Sequence, residues 1–287
     1  MSQMLIPSAL DEACMMLAAG GRVACAGATN LYVDRQKGKY PDQDIVSLHQ
    51  LDELKHLSHS EDGWHIGSLT VFDTIEEKFK NSGCMAALAQ AAAEVGGPQI
   101  RNRGTLGGNI LSASPAADTV PVMMVLDAQL ALTGTAGERI VPINGFMKGP
   151  GKTDIHSDEI LTEIIFPEKK GSASFRKVGK RNALAISIIN GAVYMEKEDQ
   201  TITDIAIAVG SAGPTALRAC RTEGLLKGRE LPATEQEWQQ LKQEVDACLQ
   251  KDITPIDDIR ATASYRRTVA CNVVMQLVRE LWEVAEA

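Results

Sequence analysis

A glycine-containing stretch in the middle of the chain places the strongest constraint on what it folds into. Residues 101–121 read RNRGTLGGNILSASPAADTVP, in which Gly107 and Gly108 lie between Thr105 and Asn109. Glycines let a backbone turn so that several N–H groups point at one anion, and threonine and asparagine side chains add hydrogen bonds. The stretch therefore predicts a loop that holds a phosphate-bearing cofactor mainly through its backbone.

A second candidate phosphate loop lies earlier in the chain. Residues 22–25 (RVAC) predict a short strand, and residues 26–30 (AGATN) predict a turn that ends in Thr29 and Asn30. Small residues after a strand more often form a plain turn than a phosphate loop. The interpretation of AGATN as a phosphate loop therefore depends on the presence of TLGGN as a second loop.

The composition indicates a soluble globular protein, and its length favours two domains over one large one. Of the 287 residues, 44% are apolar and 23% are charged, with a net charge of −8. This charge argues against nucleic acid as a partner, although backbone N–H groups can hold the pyrophosphate of one nucleotide. No apolar run approaches the ~20 residues needed to span a bilayer. The amino end carries Asp11 and Glu12 and predicts a helix instead of a signal peptide, so a cytoplasmic location is expected.

Side chains that would carry metal or nucleophilic chemistry are not arranged for it. None of the six cysteines belongs to a C-x-x-C pair, and none has a histidine at metal-ligand spacing. The cysteines are therefore expected to be free thiols, and the histidines to lie on the surface. No metal site and no catalytic residues are predicted within this chain.

Periodicity predicts alternating helices and strands, followed by a helical carboxy-terminal part. Ser8 is expected to cap the first helix, and the polar segment 167–172 (PEKKGS) predicts a domain boundary. The predicted helices cover residues 7–19, 72–79, 85–95, 120–126, 215–227, 235–250 and 264–286. The predicted strands cover residues 22–25, 44–48, 64–67, 128–132, 139–142, 160–166, 183–195 and 202–210.

Several segments carry a family resemblance, and they occur in one order along nearly the whole chain. They are PSALDEACMMLAAGG, AGATNL, DIVSLHQLDEL, WHIGSLT, GGPQIRNRGTLGGNILSASPAADTVP, DEILTEIIFP and KVGKRNALAIS. Together they resemble the FAD-binding medium subunit of the molybdenum hydroxylases, such as xanthine dehydrogenase and carbon monoxide dehydrogenase. Bacterial xanthine dehydrogenase FAD-binding subunits are the most similar branch.

The resemblance implies an α+β fold in two domains. Residues 1–168 would form a two-part FAD-binding domain of the vanillyl-alcohol oxidase (PCMH) type, with subdomains of about 1–55 and 56–168. Residues 172–285 would form a smaller α/β domain of the CO dehydrogenase flavoprotein carboxy-terminal type.

The resemblance also implies the cofactor, the partners and the binding residues. FAD would pass electrons from Fe–S (2Fe–2S) clusters to NAD, with the clusters and the molybdopterin on partner subunits. Asp118 matches an acidic residue that accepts hydrogen bonds from cofactor hydroxyls, with a helix N-cap as the alternative. Ile160 and the pair Phe175 and Arg176 match positions near the flavin, and Tyr265 with Arg266 is a weaker candidate. The two phosphate loops comprise Val23, Ala24, Cys25, Ala26, Gly27, Ala28, Thr29 and Asn30, and Gly104, Thr105, Leu106, Gly107, Gly108 and Asn109.

One position departs from the family pattern. The first loop usually contains two glycines, and here the second is Ala28. If that position requires a positive φ, alanine costs about 1 kcal/mol, and FAD affinity falls without being lost. Two alternatives to the flavin subunit stay open: a stand-alone flavin oxidoreductase of the same fold, and an assembly module in which Ala28 marks a decayed flavin site.

Overall fold

The protein has the mixed helix and sheet content that the sequence predicts. The computed structural model describes residues 2–181 and 184–284. No helix among these residues is long and apolar enough to cross a membrane. The described residues form the strands β1 Met4–Leu5, β2 Arg22–Cys25, β3 Asp44–Ser47, β4 Leu57–Ser60, β5 Gly63–Gly67, β6 Gln129–Gly134, β7 Gly137–Pro142, β8 Met147–Gly149, β9 Lys152–Thr153, β10 Ile160–Pro167, β11 Ser172–Val178, β12 Ile189–Glu198, β13 Thr201–Gly210 and β14 Leu217–Arg218.

The helices differ widely in length, and the two longest lie near the carboxyl end. They are α1 Leu10–Ala18, α2 Leu31–Gln36, α3 Phe72–Phe79, α4 Ala86–Ala93, α5 Pro98–Arg101, α6 Leu106–Leu111, α7 Thr119–Val125, α8 Cys220–Leu226, α9 Glu235–Asp252 and α10 Ala263–Val284. Short 3-10 turns cover Asp52–Lys55 and Gly83–Met85.

The chain folds into two compact units that are each assembled from several segments. The first unit contains the residues up to Thr74, then Gly97–Ala113 and Asp127–Glu168, and the second contains Ile75–Gly96, Ser114–Leu126 and the residues from Lys169 on. The last crossing, between residues 168 and 169, falls in the predicted boundary segment. Two further segments join the second unit because α4 and α7 pack on β11, β12 and β13. A single cut therefore does not describe how the chain packs, and the two-domain division stays a prediction.

The first unit contains two larger sheets of different kinds and a two-stranded sheet of β8 and β9. Strands β1, β3 and β2 form a parallel sheet, with Met4 and Val23 both opposite Ile45. Strands β4, β5, β10, β6 and β7 form an antiparallel sheet. An apolar cluster built around Leu17, Val46 and Leu69 forms a core of this unit. Burying each leucine contributes about 1.5–3 kcal/mol, which fixes the ends of β2 and β5 on which the site is built.

The second unit is an antiparallel sheet covered by helices. Its strand order is β11, β12, β13 and β14, and the predicted pair of apolar segments forms β12 and β13. Valines and isoleucines of β12 and β13 pack with α9 and α10 in one apolar cluster. A capping box starts α9, because Thr234 and Glu237 each bond the other's backbone N–H.

Several predicted elements need correction. Ser8 does not cap α1: the N-cap residue is Ala9 without a side-chain bond, and the Ser8 hydroxyl donates instead to Glu12 Oε2 at 2.9 Å. The predicted helix 215–227 is split into β14 and α8. Strand β11 was not predicted, because its alternation is hidden by polar residues on both faces. The predicted start of β12 at Ala183 and the predicted end of the last helix at Glu286 lie outside the described residues.

Candidate functional site

The TLGGN segment is the beginning of a short helix. Thr105 is the N-cap of α6, with φ −109° and ψ 155°, and its Oγ1 accepts a hydrogen bond from the Gly108 N–H at 3.0 Å. A threonine at the N-cap commonly accepts such a bond, which satisfies one of the N–H groups that have no partner in the first turn of a helix. The Thr105 hydroxyl proton and its backbone N–H have no acceptor among the described residues. Thr105 therefore keeps two donors for a ligand.

The other N–H groups of this segment are bonded to the protein, which corrects the expected role of its glycines. Leu106 donates to Thr70 O at 3.0 Å and Gly107 donates to Ser68 O at 2.9 Å. The remaining acceptors are Ile100 O for Gly104, Thr105 Oγ1 for Gly108 and Thr105 O for Asn109. These groups do not converge on an anion.

The glycines of this segment instead allow close approach. A Cβ on Gly107 would lie 2.7 Å from Ser68 Cβ, and a Cβ on Gly104 would lie 2.9 Å from the Phe72 ring. Real Cβ atoms do not approach neighbouring atoms this closely. The glycines therefore let the segment pack against the chain that follows β5.

The first loop provides the free donors that the second does not. Strand β2 ends at Cys25, and residues 26–30 connect it to α2. The backbone N–H groups of Gly27, Thr29 and Asn30 have no acceptor within the described part of the chain. A run of such N–H groups after a strand is suited to binding an anion. The anion-binding role predicted for AGATN is therefore compatible with the geometry.

Ala28 has the positive φ that the sequence analysis named as the condition for backbone strain in the first loop. Its φ is +63°, in the left-handed region that a Cβ disfavours. Burial raises the pKa of the Cys25 thiol, and Arg103 and the Ala28 backbone act in the opposite direction. The loop therefore keeps a glycine-like conformation although the second glycine is missing.

The two loops meet inside the first unit. A Cβ placed on Gly27 would lie 1.7 Å from the carbonyl oxygen of Arg103, so only glycine fits there. The Arg103 side chain folds back across the first loop, and its Nε donates to Gly27 O at 3.4 Å. Among the other predicted residues of the loops, Cys25 and Leu106 are buried, whereas Val23, Ala26 and Asn109 are half-buried and Ala24 is exposed. The geometry brings AGATN and RGTLGGN together.

Asp118 belongs to the second unit and is held by three protein donors. Its Oδ2 accepts from Lys177 Nζ at 2.7 Å, and its Oδ1 accepts from Ser187 Oγ at 2.6 Å and Asn190 Nδ2 at 2.8 Å. Asp118 occupies the N-cap position of α7, as the alternative expected, but its side chain makes no capping bond there. A carboxylate offers about four acceptor positions, so room remains for a cofactor hydroxyl. Its contact with the cofactor stays a prediction.

Phe175 and Arg176 point to opposite faces of β11, and their position near the flavin stays a prediction. Ser174 Oγ and Arg176 Nη2 both reach Glu280 of α10, at 3.1 and 2.8 Å. Alternation along a strand places Phe175 and Lys177 on the other face, where Lys177 bonds Asp118. Arg176 therefore lies on the face away from Asp118.

The remaining flavin candidates have structural roles of their own. Ile160 is 2% exposed and lies in the apolar core of the first unit. Arg266, 4% exposed, donates to Ile188 O and Ser211 O and pairs with Asp258 at 2.7 Å. Against the opposing effect of partial desolvation, the hydrogen bonds from two backbone N–H groups and from Arg266 hold the pKa of Asp258 well below its usual range. Burial and pairing explain Ile160 and Arg266 without a cofactor.

Four residues that contact predicted site residues were not predicted from the sequence: Arg103 at the loops of the first unit, and Lys177, Ser187 and Asn190 at Asp118 of the second. The last two are 1% and 0% exposed, which is unusual for polar side chains. Arg103 and Lys177 each lie within a motif on which the resemblance rests, RNRGTLGGN and KVGKRNALAIS. The motifs therefore pointed to the segments in which Arg103 and Lys177 lie. The contacts that give each of these residues its role come from residues far away in the sequence.

Comparison with known proteins shows the family of the chain. A family model described as FAD binding domain in molybdopterin dehydrogenase matches residues 1–169, and one described as CO dehydrogenase flavoprotein C-terminal domain matches residues 174–281. The chain is 33% identical over 260 residues to the xanthine dehydrogenase FAD-binding subunit of Escherichia coli O157:H7, covering 89% of this chain and 87% of that protein. It is 34% identical over 213 residues to the nicotinate dehydrogenase FAD-subunit of Eubacterium barkeri, covering 72% of each.

A solved structure shows the same fold. The match is to carbon monoxide dehydrogenase from Hydrogenophaga pseudoflava lacking the Mo-pyranopterin moiety, with a TM-score of 0.89, 26% identity, and coverage of 98% of this chain and 97% of that chain. The unbonded N–H groups of the first loop and the free donors of Thr105 suit the diphosphate of FAD. The chain belongs to the family of FAD-binding medium subunits of the molybdenum hydroxylases, oxidoreductase subunits that work with partner subunits.

Proposed function

We propose that this chain is the FAD-carrying electron-transfer subunit of a xanthine dehydrogenase-like complex. Electrons would arrive from the 2Fe–2S clusters of one partner, which receives them from a molybdopterin-binding partner, and would leave to NAD. The observation that carries the proposal is the meeting of the two loops at Gly27 and Arg103, with N–H donors left unbonded beside that contact.

FAD supplies the redox chemistry when bound, and the residues of this chain bind and orient it. The N–H groups of Gly27, Thr29 and Asn30 would hold the diphosphate, with Thr105 adding its hydroxyl and backbone donors. Asp118 would accept a hydrogen bond from a cofactor hydroxyl, while Lys177 and Ser187 keep its carboxylate in a fixed orientation. In this proposal no residue of the chain needs to act as an acid, a base or a nucleophile.

The relatives support the choice of complex. The xanthine dehydrogenase subunit is matched over a larger part of both chains than the nicotinate dehydrogenase subunit, at nearly the same identity. We therefore infer a purine-like substrate for the complex and NAD as the electron acceptor.

Purification of the native complex tests this proposal. Co-purification of Fe–S and molybdopterin subunits, with bound FAD and xanthine-dependent reduction of NAD, is the expected result. Turnover of a substrate by this chain alone would favour a stand-alone flavin oxidoreductase. A complex that lacks flavin would indicate an assembly module and would overturn the proposal.

Xanthine and nicotinate, compared in the same purified complex, test the substrate separately. Faster reduction of NAD with nicotinate would refute the purine assignment. It would leave the role of the flavin subunit intact.

A further inference from the structure

We propose that Arg103 is a phosphate-binding residue of the cofactor site, and this inference depends on the proposed binding of FAD. Arg103 is the residue at which the two loops touch, because its carbonyl oxygen faces the Cα of Gly27. Its Nε donates to Gly27 O, which places the guanidinium over the first loop. The side chain therefore lies beside the loop whose N–H groups are unbonded.

The guanidinium has donors to offer. An arginine carries five N–H donors in a planar fork, and a donor of Arg103 reaches one protein acceptor, Gly27 O. Among the described residues, no carboxylate lies within ion-pair distance of Arg103. Its charge is therefore not neutralised within the protein, although the chain as a whole has a net charge of −8.

The charge of Arg103 acts on the first loop. It lowers the pKa of the Cys25 thiol, against the larger opposite effect of burial. The other cation that acts on this thiol, Arg35, is bonded to Ser2 Oγ and to Gln43 O. Arg35 is therefore tied to two segments outside the first loop, whereas the described acceptor of Arg103 is Gly27 O of the loop itself.

These features together fit a diphosphate. Backbone N–H groups can satisfy its oxygens but carry no net charge, whereas an arginine fork binds phosphate with charge-assisted hydrogen bonds. The N–H groups of Gly27, Thr29 and Asn30 thus position the diphosphate, and Arg103 neutralises part of its charge.

Substitution of Arg103 in the full chain, purified with the subunits that accompany it, tests this role. FAD is removed and titrated back, and its Kd is followed by flavin fluorescence at low and high salt. Charge-assisted hydrogen bonds predict that Arg103→Gln raises the Kd about ten- to hundredfold. Arg103→Lys, which keeps the charge but loses the fork, falls between wild type and Arg103→Gln.

Arg22→Gln is the matched control. Arg22 starts β2, at the end of the strand away from the loop, and its Nη1 donates to Met16 O at 2.6 Å. This variant should bind FAD like wild type. A phosphate contact also predicts that FAD binding weakens with salt in wild type and does so less in Arg103→Gln.

The outcomes separate the two proposals. Wild-type affinity for FAD in Arg103→Gln overturns the role of Arg103 while leaving FAD binding intact. A loss of affinity accompanied by an unchanged salt dependence also overturns it, because it would indicate damage to the loop. A wild-type complex that binds no FAD refutes the proposed function itself.

Discussion

Replacing Ala28 by glycine should stabilise the protein, because the first loop holds this alanine at a φ of +63°. The left-handed region costs a residue with a Cβ about 1–2 kcal/mol. Glycine removes this strain but adds about 0.4–1 kcal/mol of conformational entropy to the unfolded chain. The difference predicts that Ala28→Gly raises the free energy of unfolding by about 0.5–1 kcal/mol.

Thermal denaturation of the variant and of a matched control measures this effect. Ala26 lies in the same loop, does not have a positive φ and packs against the apolar core, so Ala26→Gly relieves no strain and adds the entropic cost and a small loss of packing. The midpoint should rise by about 1–4 °C for Ala28→Gly and fall by a similar amount for Ala26→Gly. FAD affinity should stay equal or improve in Ala28→Gly. Equal destabilisation by both substitutions would refute the strained conformation of Ala28.

Three further predictions concern a helix cap, a buried ion pair and a histidine–carboxylate pair. Thr105→Val removes the N-cap bond of α6 and should lower the free energy of unfolding, measured by thermal denaturation, by about 1 kcal/mol. Thr105→Ser keeps the hydroxyl and should retain most of this stability, and equal losses in the two variants would refute the cap. Lys177→Met removes the cation that pairs with buried Asp118 and should lower the free energy of unfolding by about 3–5 kcal/mol. Lys227→Met, at an exposed ion pair, should change the melting midpoint little, and similar effects of the two substitutions would contradict the burial of the first pair. The Glu163 carboxylate raises the pKa of His65, so this pair should stabilise the protein fully below about pH 6.5 and less as the pH rises through the raised pKa. His65→Gln should therefore narrow the difference in melting midpoint between about pH 5.5 and about pH 8.5, and an unchanged difference would refute the stabilising pair of His65 and Glu163.

The two loops were predictable because their signals are local. A short strand followed by AGATN, and a glycine pair between threonine and asparagine, indicate backbone turns without knowledge of the neighbours. The conformation of Ala28 followed from a missing glycine in an otherwise familiar pattern. The family, the fold and the cofactor FAD were predictable from the resemblance of several motifs in one order, and the comparisons confirm all three.

The use of each donor was not predictable, because it depends on residues far away in the sequence. The N–H groups of Leu106 and Gly107 are bonded to Thr70 O and Ser68 O, which only the folded chain brings within reach. Strand β11 was missed because its polar residues pair on both faces, with Asp118 on one and Glu280 on the other. The separation of Phe175 from Arg176 follows from this strand and was missed with it.

The flavin content of the native complex tests the central claim most directly. The cofactor is released by denaturation, separated from the protein, and quantified as FAD against the amount of this chain. The wild-type complex is predicted to contain stoichiometric FAD. In Gly27→Ala the added Cβ would collide with the Arg103 carbonyl oxygen and disrupt the first loop. This variant is therefore predicted to lose both bound FAD and affinity for it. A complex that contains no FAD, or that retains it fully in Gly27→Ala, would contradict the assignment of the cofactor to these two loops.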